Sequence, residues 1–240
     1  MKKINIIGRG NVATHLYEAF KEKTSTVMVN PHSLEFLDTD ADFVLIAVSD
    51  NAISEIAAKL PAISGIVAHT SGSTALDTLS AYSGLTGVFY PLQTFTKGIN
   101  LDYSEIPFFI EGCDEETTRQ LCELASLVSD NVRCADSKQR RALHVAAVFG
   151  CNFANHLWSI TDDILKANGM DFDVIRPLLK ETLRKTEALH PSQAQTGPAA
   201  RHDTKTIEAH LAFLNNDNQL SRLCDLYSTL SDSIMSESDG

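Results

Sequence analysis

The chain has 240 residues, 43% of them hydrophobic and 21% charged, which is the composition of an ordinary globular protein with room for one large domain or two small ones. A formal net charge of -11 argues against nucleic acid and anionic membranes as partners, while leaving open an anion held locally at a helix N-terminus. The apolar run in MKKINIIGRG stops at Gly8, nothing approaches a membrane span, and five scattered cysteines without a CxxC read as reduced thiols, so a cytoplasmic protein with no metal site is expected.

The first half alternates strand and helix signals. KINIIG reads as a strand, and Val12, Ala13, Leu16 and Phe20 then recur at helical spacing. TVMVN is a second strand, PHSLEFLDTDAD a short crossover, and DFVLIAVSD an almost wholly apolar third strand of the kind covered on both faces. A helix over 50–59 precedes the strand GIVAHTSG, and GVFYP, PFFIEG and NVRCA read as further strands. Leu121, Leu124, Ala125 and Val128 mark a helix between the last two. This alternation predicts an α/β fold, a doubly wound Rossmann-type parallel sheet.

After about residue 136 no strand pattern remains. One long helix is expected over 138–167, with Ala146, Phe149, Phe153, Leu157, Ile160 and Ile164 as its apolar stripe, followed by helices near 173–189, 203–214 and 217–235. The expected organisation is thus a dinucleotide-binding domain over 1–136 and an all-α domain over 137–240, with the terminal SESDG frayed. Two segments, 91–106 and 190–203, are longer than simple connections need.

Gly8-Arg9-Gly10-Asn11-Val12-Ala13 fits G-x-G-x-x-A, ending a strand and opening a helix. Gly8 allows the tight turn, Gly10 lets the backbone approach a pyrophosphate, Ala13 lets helix and strand pack closely, and the free N–H groups at the helix start meet the phosphates. The second strand ends in Asn30, followed by Pro31, His32 and Ser33. A neutral residue there tolerates a ribose 2′-phosphate better than a carboxylate does, and Arg9 adds positive charge, so NADP(H) is favoured and NAD(H) is the second choice. Asn30 equally suits a simple turn cap. Val48 and Ser49 end the third strand, and His69, Ser71 and Gly72 end the fourth, where ligands sit in open α/β sheets. Ser71 and Gly72 are expected to border the nicotinamide. His69 is either a proton donor or a satisfied core histidine. On the long helix, His144, Cys151 and Asn155 lie on a second, mixed face near Val148 and Trp158; His144, Asn152 and Asn155 are candidate substrate contacts, unless this face is instead partly buried in a dimer.

The stretches GRGNVA, IAVSD, HTSGS, YPLQTF, HVAAVFGCNFANHL and QTGPAARHD resemble the bacterial proteins that join a Rossmann-like domain to a helical C-terminal domain of unknown function, grouped as NADP oxidoreductases. The resemblance runs from residue 8 to about residue 203. More distantly the layout is similar to pyrroline carboxylate reductase, ketopantoate reductase and the hydroxyacid and phosphogluconate dehydrogenases. These resemblances imply NADPH-dependent reduction of a small C=O or C=N compound and a homodimer formed through the helical domain. One departure stands out. Several dehydrogenase relatives carry a lysine on the long helix shortly before an asparagine, and Val148, Phe149 and Cys151 stand there instead. The proton donor would then be His144, His69 or water, with Asn152, Asn155, Thr196 and Arg201 positioning substrate. The alternative is a dinucleotide sensor or protein-interaction module without turnover.

Overall fold

The computed structural model describes residues 1–238. Seven strands, β1 (Lys3–Ile7), β2 (Ser25–Val29), β3 (Phe43–Ile46), β4 (Ile66–His69), β5 (Thr86–Pro91), β6 (Phe108–Gly112) and β7 (Val132–Cys134), form one sheet in the order β2-β1-β3-β4-β5-β6-β7. Helices α1 (Asn11–Phe20), α2 (Asp50–Lys59) and α3 (Glu115–Ala125) connect them. Neighbouring strands are parallel except β5 and β6, which pair antiparallel with Val88 opposite Glu111 and Tyr90 opposite Phe109. This reversal departs from the all-parallel expectation, because a strand pattern such as PFFIEG carries no direction of its own.

Both faces of the sheet are covered, and strand periodicity decides which side chain goes where. Ile4, Ile6 and Leu45 join Leu16 and Phe20 of α1 and Leu121 and Leu124 of α3 in one core. Ile7, Val44 and Ile46 pack on the other face with Ile53 and Ala57 of α2. The GxGxxA turn is built as its spacing requires. Gly8 has φ +149°, and a Cβ there would collide with the Ala47 carbonyl and lie 3.2 Å from Ala13 Cβ.

After β7 the described chain is helical: α4 (Ser137–Ala147), a π-helical turn Val148–Phe153, α5 (Ala154–Ala167), α6 (Arg176–Ala188), the short α7 (Pro191–Ala194), α8 (Thr204–Asn215) and α9 (Cys224–Ser238). Asp136 opens α4 with a reciprocal cap, accepting from the Gln139 backbone N–H at 2.7 Å while its own N–H donates to Gln139 Oε1 at 3.0 Å. The π turn interrupts the single long helix expected from the pattern. Helix α9 continues through Ser236 and Glu237 to Ser238, so the expected fraying does not begin at Ser236, and the last two residues of SESDG lie outside the described residues.

The chain packs as two compact units, Met1–Ala154 and Asn155–Gly240. The strand signals end near residue 136, but α4 packs with the sheet unit because Leu143 sits against Val88, Tyr90 and Phe109. The second unit has its own core of Ile160, Leu214, Leu220 and Leu223. No described helix is long and apolar enough to cross a membrane.

Candidate functional site

Two clefts of the first unit bear on function. One, of about 530 Å³, lies at the carboxyl ends of β1 and β3 and is lined by Arg9, Gly10, Asn11, Val12, His32, Val48, Ser49 and Lys59 among others. Helix α1 opens on it with Gly10 as N-cap, with no side chain capping its first N–H groups and no acidic residue in its first turn. A Cβ on Gly10 would meet no described atom within 4 Å. Uncapped helix N–H groups beside open space are what a pyrophosphate needs. Lys59, not anticipated from the sequence, is the third basic side chain here and pairs with Glu55 at 2.5 Å. Its position at the end of α2, far in sequence from the glycine motif, hid it.

The second cleft, of about 680 Å³, lies between the end of β5, the segment after it, and α4 with the π turn. Tyr90, Gln93, Thr94, His144, Cys151 and Asn152 supply its polar groups, and Leu92, Phe95, Leu143 and Val148 much of its apolar wall. Tyr90 Oη and His144 Nδ1 are 3.3 Å apart. Burial pushes the Tyr90 phenol above its usual pKa, with the Arg140 charge opposing. The phenol is therefore protonated at neutral pH. Gly72 makes room for it, since a Cβ at that position would lie 2.5 Å from Tyr90 Cζ. The π turn brings Asn152 to the same cleft as His144. Two α-turns take about seven residues, and a π turn takes about one more, so a residue eight positions on returns to the same side.

The long segment 91–106 ties the clefts together. Asn11 Nδ2 donates to the Phe95 carbonyl at 2.8 Å, and Lys97 Nζ donates to the Arg9 carbonyl at 2.6 Å. His15, buried in α1, bonds the Thr96 carbonyl through Nε2 at 2.8 Å and Tyr103 Oη through Nδ1 at 3.0 Å. Arg140, in α4, is fully buried. It pairs with Glu111, donates from Nη2 to the Thr74 carbonyl at 2.5 Å, and leaves Nε without a hydrogen-bond partner among the described residues.

Several expected residues do other work. His69 is 0% exposed; the Ser71 N–H donates to its Nδ1 at 3.2 Å and its Nε2 bonds the Ala75 carbonyl at 3.3 Å. Burial first, then the Arg140 charge, lowers its pKa to about 4. A neutral ring with both nitrogens engaged is a structural histidine, which corrects its expected part as proton donor. Ser71 accepts from the Ser73 and Thr74 N–H groups at 3.2 and 3.0 Å, holding a tight turn, and neither it nor Gly72 lines either of these two clefts. Asn30 caps its turn through Oδ1, which accepts from the His32 N–H at 3.1 Å; neither it nor Ser33 lines the first cleft. In the second unit, Asn155 lines a shallow hollow with Trp158 and Phe172. Thr196 and Arg201 flank a compact turn in which Gly197 has φ +110° and the Pro198 carbonyl accepts from the Asp203 N–H at 2.9 Å. Asp203 caps α8 through the Thr206 N–H at 3.1 Å. Among the described residues no group of three or more His, Cys, Asp or Glu comes together as a metal site.

Residues 106–234 match the family model described as a domain of unknown function, DUF2520. The chain belongs to this family. No curated protein matches it. The DUF2520 chain is similar over 98% of its length, and 98% of the other's, to a Bacteroides fragilis protein, BF3122, described provisionally as an NADP oxidoreductase, with 35% identity and a TM-score of 0.87. Protein TM1727 of Thermotoga maritima shares 20% identity over 99% of this chain and 100% of its own, with a TM-score of 0.69. A reductive aminase from Aspergillus terreus, solved with NADPH and ethyl-5-oxohexanoate, shares the fold at 14% identity and a TM-score of 0.66, over 100% of this chain and 93% of its own.

Proposed function

We propose that this chain is an NADP(H)-dependent oxidoreductase that reduces a small C=O or C=N compound. The supporting observation is the joining of the two clefts. Asn11 lines the first, and its side chain bonds the carbonyl of Phe95, which lines the second. The uncapped start of α1 and the open space at Gly10 fit a pyrophosphate, and Arg9, His32 and Lys59 fit a 2′-phosphate, with NAD(H) the lesser option. When bound, the cofactor supplies the hydride.

The chain's own residues supply the proton and the positioning. With hydrogen on Nδ1, His144 donates to the Tyr90 phenolic oxygen, and the phenol's own hydrogen is free to face the cleft. Tyr90 then protonates the substrate oxygen or nitrogen, and His144 returns the proton. Asn152 orients the substrate from the π turn. The lysine of the dehydrogenase relatives is unnecessary in this arrangement.

A homodimer through the helical unit is part of the reading, supported by the apolar surface this unit exposes, with Leu183 at 70% and Leu178 at 60% exposure. The free thiols of all five cysteines suit a reducing cytoplasm.

Calorimetric titration with NADPH and then NADH, followed by NADPH oxidation over a panel of carbonyl compounds and imines, tests the proposal. NADPH binding is expected to be the tighter, and Tyr90→Phe to cut turnover by about 10²-fold or more with NADPH affinity unchanged. Failure to bind either cofactor would sink it. NADPH binding with no turnover over a broad panel would favour the sensor.

A further inference from the structure

The second cleft is notable for the residues it lacks. Among the described residues that line it there is no aspartate, glutamate, lysine or arginine. Two basic residues of the neighbouring elements are committed elsewhere. Arg140 is fully buried and paired with Glu111, and Lys97 donates to the Arg9 carbonyl. The walls are apolar at Leu92, Phe95, Leu143 and Val148, and the hydrogen-bonding groups are neutral amides, hydroxyls and one imidazole. At about 680 Å³ the cleft is of the size that holds a small organic molecule.

A carboxylate that gave up water to enter would meet no lysine or arginine among the lining residues, and a desolvated charge without a partner is disfavoured. A protonated iminium would likewise meet no carboxylate among the lining residues. A neutral carbonyl compound has neither cost, and its single acceptor oxygen meets the Tyr90 hydroxyl. Resting on the oxidoreductase reading above, we propose that the substrate is a neutral, largely apolar aldehyde or ketone, and that 2-oxo acids and iminium ions are excluded. The reaction balances as hydride from NADPH to the carbonyl carbon and a proton from Tyr90 to the oxygen. It gives an alcohol and NADP⁺, and solvent restores the Tyr90 proton through His144.

The test uses the full chain, free and loaded with NADPH, and three probes of matched shape: a branched 2-oxo acid, its amide and a cyclic iminium salt. Calorimetry is expected to show the amide bound at least about tenfold more tightly than either charged probe. Gln93→Arg, which sets a cation among the lining residues, is expected to narrow or invert the preference between amide and acid. An acid or iminium bound as tightly as the amide overturns the proposal, and so does a protein that binds NADPH but none of the probes. If NADPH itself does not bind, the oxidoreductase reading falls. The order of probe affinities on the free protein then still decides the character of the cleft.

Discussion

His69 makes the pH dependence of folding a test of the site's interior. Its pKa of about 4 in the folded chain, against an ordinary 6.5, means that the unfolded chain takes up a proton the folded chain refuses across that interval. Wherever the unfolded state binds more protons, stability rises with pH, so the contribution is fully present above pH 6.5 and is lost as pH falls toward 4. At about 1.4 kcal/mol for each pKa unit, the loss reaches about 2 kcal/mol at pH 5 and about 3 kcal/mol at pH 4. The comparison is His69→Asn, whose Oδ1 can accept from the Ser71 N–H and which does not titrate. Urea unfolding of both proteins at pH 7, 6, 5 and 4.5 cancels the carboxylates common to both. Wild type is expected to be the more stable at pH 7, with its advantage shrinking by about 2 kcal/mol by pH 5. An unchanged difference over this range would refute the description of His69 as a buried neutral ring.

The glycine motif separates fold from ligand. Gly8→Ala is expected to cost about 1–3 kcal/mol through strain at positive φ, and more from the collision with Ala47, read as a lower urea midpoint. Gly10→Ala leaves that midpoint unchanged but weakens NADPH by about tenfold or more in calorimetry. Arg140→Met strands Glu111 and costs about 3–5 kcal/mol, whereas Arg140→Met with Glu111→Leu recovers most of the loss; a double variant no more stable than the single one would count against a paired charge. Lys59→Ala lowers NADPH affinity several-fold and leaves NADH unchanged, a difference that calorimetry reads directly.

The fold was legible wherever local pattern and local structure are the same thing. Gly8, Gly10 and Ala13 announce their turn by spacing, and helix 50–59 by its periodicity. Tyr90 was hidden because its importance comes from Gly72 and His144, distant in sequence and adjacent only after folding. Arg140 was hidden for the opposite reason. It stands in SKQRR, a run without an apolar residue, and only the placement of Glu111 and Thr74 shows that it is buried. His69 carried two readings, and burial with two backbone partners decides between them. The π turn left no trace because VFGCNF continues the helical pattern on either side.

The antiparallel pairing of β5 and β6 determines where α4 is delivered. Were β6 and β7 aligned with the other five strands, the chain would leave the sheet at the cofactor end and α4 would travel away from it. Reversed, β7 releases the chain at the far end and α4 climbs back along β5. On the rung where Val88 faces Glu111, Arg140 reaches that glutamate; on the rung where Tyr90 faces Phe109, His144 reaches that tyrosine. One helical turn from 140 to 144 rises about 6 Å, and two strand residues from 88 to 90 rise about 6.6 Å. The helix and the strand therefore advance almost in step. A buried ion pair at one level acts as the datum from which the proton donor at the next level is set, so a residue inserted or deleted between 140 and 144 would uncouple the two while leaving every side chain present.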